Sequence, residues 1–210
     1  MIATMNKPAA VFEDPVSLLF RVRTKLFSLW LSATYPFASK GGNLSAHYPC
    51  KIDRRLASQI KIGKSVVIGK DTWLNVIPEG AGDVRIILED NCAIGPRCQI
   101  SAKNGIHLEH DVIVAASSLI MDHNHAYEDI ATPIRHQGVT AGGRIRIEQG
   151  CWVGQGAAIV CGEGELVIGR NSVVAANALV TRSFPPYSVI VGNPARLARK
   201  FDTGKNVWVG

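Results

Sequence analysis

The sequence predicts an all-β protein, a parallel β-helix wound as a three-sided prism of about five coils. Three observations carry this: a six-residue aliphatic period, small side chains at fixed offsets from it, and interruptions confined to a few places. The aliphatics recur in runs of three: Ile62, Ile68, Leu74; Leu88, Ile94, Ile100; Leu108, Val114, Ile120; Ile147, Val153, Ile159; Ile168, Val174, Val180. A period of six fits neither an amphipathic helix nor a simple alternating strand. It suits short flat strands joined by tight corners, three to a coil, with coils stacked at the strand spacing of ~4.8 Å.

The residue after each aliphatic is often Gly, Ala or an acid, as at Gly63, Gly69, Gly95, Ala115 and Gly169. Four residues after it stands another small or modest side chain, as at Val66, Thr72, Cys92, Cys98, Ser118, Cys151, Ala157 and Ala178. The aliphatics are expected to fill the prism axis and these residues its corners. Cys92, Cys98 and Cys151 then read as buried wall-fillers, not as metal or redox groups. The five cysteines are odd in number and include no CxxC pair, which points to reduced thiols and a cytoplasmic protein.

The interruptions set the organisation. Residues 61–184 form the prism, with surface excursions at 75–87 and, longer, at 121–146, because extra chain can leave a prism only at its corners. Residues 1–60 form an extension. In it 1–16 read as unstructured, 17–37 as an apolar helix carrying Arg21, Arg23 and Lys25, and 41–60 as an arm leading into the first coil. The helix has two readings, a cap on the open end of the prism or an interfacial anchor at the inner face of a membrane. Residues 185–210 form a C-terminal cap and tail. The basic residues that interrupt 17–37 argue against a signal peptide and against a spanning helix. A net charge of +6 favours an anionic partner: a phosphorylated cofactor, an acidic glycan, nucleic acid or a membrane surface.

Beyond the repeat, three segments narrow the reading: Met121-Asp122-His123-Asn124-His125 directly after the third run, Gly150-Cys151-Trp152-Val153-Gly154-Gln155-Gly156-Ala157 at the re-entry, and Pro185-Pro186-Tyr187 through Gly192-Asn193-Pro194-Ala195-Arg196 at the end. From about residue 60 to 201 the chain resembles the hexapeptide-repeat acyltransferases, in the branch of galactoside, maltose, capsule and O-antigen sugar O-acetyltransferases. The resemblance implies a left-handed helix, a homotrimer with sites between protomers, acetyl-CoA as donor without a metal, and a sugar or glycan hydroxyl as acceptor. It does not imply nucleic acid as a partner.

By the same resemblance His123 is the general base, with His125 as the alternative; Asp122 or a backbone carbonyl is expected to orient the ring. Acetyl transfer to an alcohol needs a proton acceptor near neutrality, and imidazole is the side chain suited to it. Trp152 is expected beside the donor's pantetheine arm, and Gly154 with the Gln155 amide at the oxyanion. Ala176, Thr181, Arg182, Asn193, Pro194, Arg196 and Lys200 are expected along the channel that takes the phosphates of coenzyme A. Arg97, Gln99 and Lys103 are candidate acceptor contacts, while His107, His110 and His136 read as surface or corner residues. Two other classes share the prism: a zinc lyase of the γ-class carbonic anhydrase kind, for which a His pair two residues apart is too closely spaced, and a non-catalytic trimeric scaffold.

Overall fold

A computed structural model describes residues 14–78 and 84–210. The expectation of an unstructured segment at 1–16 falls, save its last three residues, outside the described residues, as does the middle of the 75–87 excursion. The repeat folds as predicted, into three parallel faces. The first holds Ser39–Lys40, Ile60–Ile62, Ile86–Leu88, Ile106–Leu108, Arg144–Ile147 and Glu165–Ile168. The second runs from Ser45–Ala46 through Val67–Ile68, Ala93–Ile94, Ile113–Val114, Trp152–Val153 and Val173–Val174 to Ser188–Val191. The third holds Lys51–Ile52, Trp73–Val76, Gln99–Ala102, Leu119–Met121, Ala158–Val160 and Leu179–Val180.

Strand registers place like on like. Ile62 lies on Leu88, Ile94 on Val114 and Ile100 on Ile120, so the period of six becomes three axial columns. All of these side chains are fully buried. A buried aliphatic of this size is worth about 1.5–3 kcal/mol, and the columns are the main source of stability. Coils press so closely that a Cβ on Gly69 would lie 2.4 Å from the Pro96 nitrogen. Cys92, Cys98 and Cys151 are buried corner thiols. Burial pushes Cys92 and Cys151 up to about 11, which keeps them protonated and inert.

The stack is longer than the repeat suggests. Residues 41–60, expected as a connecting arm, instead supply most of a first coil and a 3₁₀ turn, Arg54–Gln59. Lys40 pairs with Ile62, Ala46 with Ile68 and Ile52 with Leu74, so the period continues at 40, 46 and 52 with two non-aliphatic members. Helix α1 (Pro15–Thr34) explains why these are tolerated: it covers this end, burying Leu31, while Ser28 Oγ accepts from the Ala46 amide at 2.8 Å and Lys40 Nζ donates to the Ser32 carbonyl. At the other end Phe184 bridges to Ile168 and Ile190 lies on Val174, so stacking runs past 184. The chain then turns back as two antiparallel strands, Arg196–Asp202 and Val207–Val209.

Candidate active site

The site begins where the third-face strand Leu119–Met121 ends. Axial Ile120 fixes the strand's register, and the chain then turns a corner that carries Asp122 to a fully buried position and His123 to a nearly buried one. The coil below turns the same corner through Lys103, Asn104 and Gly105. All three of their amides donate to the Asp122 carboxylate, at 2.7, 2.8 and 2.7 Å. His123 Nδ1 lies 2.9 Å from Asp122 Oδ1.

Burial pushes the Asp122 carboxyl up, but the His123 ring N–H and the three amides outweigh it and hold the group below its ordinary value. Asp122 is therefore an anion that can only accept, so Nδ1 carries the proton and Nε2 is the basic nitrogen. Among the described residues the one buried side-chain polar atom without a partner is Gln59 Oε1. His123 Nε2, which makes no hydrogen bond to those residues, therefore reaches solvent.

The excursion that follows is tied down at its root. Gly143 donates to the Asp122 carbonyl at 2.7 Å, Asn124 and Thr140 exchange two bonds, Lys103 Nζ donates to the Thr140 carbonyl, and Asn104 Nδ2 to that of Ala141. Gly142, at φ +74°, passes so close that a Cβ there would lie 2.5 Å from the Asp122 oxygen and 3.2 Å from His123 Cβ. The outer part is open, with Tyr127, Ile130 and Ile134 exposed. His125 is exposed as well and joins the excursion through a backbone bridge to Val139, so it stands apart from the Asp122–His123 pair.

The expected cofactor residues fall into separate groups. Trp152 points outward from the second face, half exposed, between Ile113 below and Val173 above. Gly154 and Gln155 turn the next corner, stacked on Ala176 and Asn177: a Cβ on Gly154 would lie 2.6 Å from the Ala176 nitrogen, and the Gln155 carbonyl accepts from the Asn177 amide. The whole third face separates this corner from that of His123. Thr181 and Arg182 stand on the His123 side, following Val180, which lies on Ile159 and so two coils above Ile120. The cis Asn193–Pro194 bond lies in a turn held to both backbone groups of Leu179. Arg196 and Lys200 are exposed on the antiparallel extension of the second face.

Comparison with known proteins puts this geometry in context. A family model for the hexapeptide repeat of succinyl-transferase matches residues 85–120 and 144–182. WbbJ of Escherichia coli, named as an O-acetyl transferase of lipopolysaccharide biosynthesis, is 26% identical over 167 residues, 77% of this chain and 81% of that protein. A Mycobacterium tuberculosis protein named as an acetyltransferase is 30% identical over 142 residues, 68% of this chain and 44% of its own length. The chain is thus similar to named acetyltransferases and carries the hexapeptide repeat over the matched residues. A solved variant of AntD, an N-acyltransferase from Bacillus cereus in complex with dTDP and coenzyme A, superposes with a TM-score of 0.63 at 18% identity, covering 80% of this chain and 87% of that one. This likeness identifies the prism as the left-handed β-helix.

The anchoring of Asp122 leaves almost no trace in the sequence. The amides of Lys103, Asn104 and Gly105 contribute no side chain to a motif, and the one available signal was the turn-forming Asn-Gly pair. Gly142 and Thr140 were equally silent within the excursion. His107 and His110 sit on the surface against Glu89 and Asp111, and His136 is exposed in a 3₁₀ turn, Ile134–His136.

Proposed function

We propose that the protein transfers an acetyl group from acetyl-CoA to a hydroxyl of a sugar or glycan, with His123 as general base and Asp122 as its positioning residue. The Asp122–His123 pair carries this reading: a buried anion fixes the tautomer and leaves Nε2 to accept a proton. His123 Nε2 takes the acceptor's hydroxyl proton as its oxygen bonds to the acetyl carbon. Asp122 stabilises the imidazolium, and the same proton passes to the departing sulfur as the thioester bond breaks. WbbJ, by its name an O-acetyl transferase, supports the reaction class and the glycan acceptor. The coenzyme A in the AntD complex supports the donor.

The separation of Trp152 from His123 within one chain fits a homotrimer in which the second face of one protomer, with the outward strip Val67, Ile113 and Trp152, meets the His123 corner of the next. In that arrangement Trp152 packs along the pantetheine arm, and the Gln155 amide faces the oxyanion. Arg182, Arg196 and Lys200, with Ala176, Thr181, Asn193 and Pro194, line the path of the phosphates. The experiment is thiol release from acetyl-CoA across a panel of saccharides, with product mass. We expect one class of sugar to gain a single acetate on oxygen. Transfer confined to amino sugars, or turnover that requires stoichiometric zinc, would replace this reading.

A further inference from the structure

Helix α1 leaves more of its apolar surface outside than it turns toward the prism. Its protein-facing side mixes Leu31 and the partly buried Phe27 with Thr24, Ser28 and Ser32, with Ser28 bonded to Ala46 and Ser32 to Lys40. Leu19, Val22, Leu26 and Trp30 follow one another at helical spacing on the outer side, each 47–67% exposed. A helix on a water-facing surface keeps its apolar stripe toward the core and does not carry a second one outside.

A groove of about 780 Å³ adjoins the stripe. Arg21, Arg23, Lys25, His47 and Lys70 line it, with Asp71 beside Lys70 at 3.9 Å, and among the described residues no carboxylate is in the lining. Helix α1 contains no Asp or Glu at all. The Arg23 guanidinium lies 4.4 Å from the Tyr48 ring centre, and Tyr48 meets Phe27 edge to face at 5.2 Å, which joins the basic groove to the apolar surface.

We propose that this end of the protein docks on the surface of an anionic phospholipid bilayer, the outer stripe of α1 entering the interface while the cations of the groove contact lipid phosphates. Charge selects the occupant. A second copy meeting this patch about a two-fold axis would oppose Arg23 and Lys25 with their own copies and, among the described lining residues, with no carboxylate, whereas lipid phosphates carry the opposite charge. The helix lies on the bilayer and does not cross it: among the described residues no helix is long and apolar enough to span a membrane. Each Lys or Arg at such a surface strengthens binding on the order of fivefold, so the stripe and the cations are both needed.

The test is flotation of the full-length protein with vesicles of phosphatidylcholine alone and of phosphatidylcholine mixed with phosphatidylglycerol, at low and high salt. Two variants accompany it, Arg21→Glu/Arg23→Glu/Lys25→Glu and Leu19→Ser/Leu26→Ser, with sedimentation and melting temperature recorded for each. We expect binding to the mixed vesicles only, weakened by salt and lowered at least ~10-fold in either variant, with mass and melting temperature unchanged. Equal binding to both vesicle types, no binding at low salt, or a change of oligomeric mass in the Leu variant would overturn the proposal. Thiol release with a soluble acceptor is followed on the same samples, so a failure of the acetyltransferase reading is seen separately.

Discussion

Asp122 accepts four hydrogen bonds at zero exposure, two on each oxygen, so replacing either oxygen by an amide nitrogen strands two buried donors. Asp122→Asn is expected to lower turnover at least ~10²-fold, because the amide no longer enforces the Nδ1–H tautomer. It should also cost about 1–3 kcal/mol of stability for each buried donor left without an acceptor. The pH dependence has a definite sign. The folded Asp122 carboxyl sits below its ordinary value, so its contribution is fully present above the unfolded value of ~3.9 and is lost as pH falls through the lower folded one. Melting temperatures of the native protein and the variant should therefore differ most near neutrality and converge in strong acid. Circular dichroism melts across that range check it.

At the scale of the element, the excursion after Met121 works as a strap whose root presses on the Asp122–His123 pair. Gly142 and Gly138 both have positive φ, but a Cβ at Gly138 meets nothing within 4 Å, whereas one at Gly142 meets Asp122 and His123. Both Ala variants should lose stability by roughly 1 kcal/mol from backbone strain. Only Gly142→Ala should also lose activity, by up to ~10²-fold, since small displacements of a base are costly. Parallel kcat and melting measurements on the two variants separate the effects. The coils themselves were legible because each axial aliphatic repeats the same physical demand. A second signal lay beside them unread: the residue three places after each axial position has φ near +60° at Ser65, Asp71, Asn91, Asp111, Asn171 and Asn177, residue types that accept the left-handed region. The first coil escaped notice since α1 supplies its covering, which lets Lys40 and Ala46 stand where the pattern asks for aliphatics. The dyad was legible as Asp-His, but its amide cradle was not, because backbone donors leave no letters in a sequence.

On the scale of the whole molecule, stability is distributed along columns, so a single axial deletion should be felt throughout. Ile100→Ala, between Leu74 and Ile120, is expected to cost about 2–5 kcal/mol in denaturant unfolding, against almost nothing for an exposed change such as Ile130→Ala. Ile113 offers the contrasting case. It is half exposed on the second face, beside Trp152, so Ile113→Glu should leave the fold intact while shifting sedimentation from three chains of 22.6 kDa toward one. A native protein that sediments as a monomer at micromolar concentration would remove the shared-site arrangement.

The proposed function stands or falls with the imidazole held by Asp122 as the proton acceptor for acetyl transfer. Its most direct test is kcat for His123→Ala at saturating acetyl-CoA and acceptor, with coenzyme A affinity measured on the same preparation. We expect a fall of at least ~10²-fold with affinity unchanged; an unchanged kcat would remove His123 from the reaction.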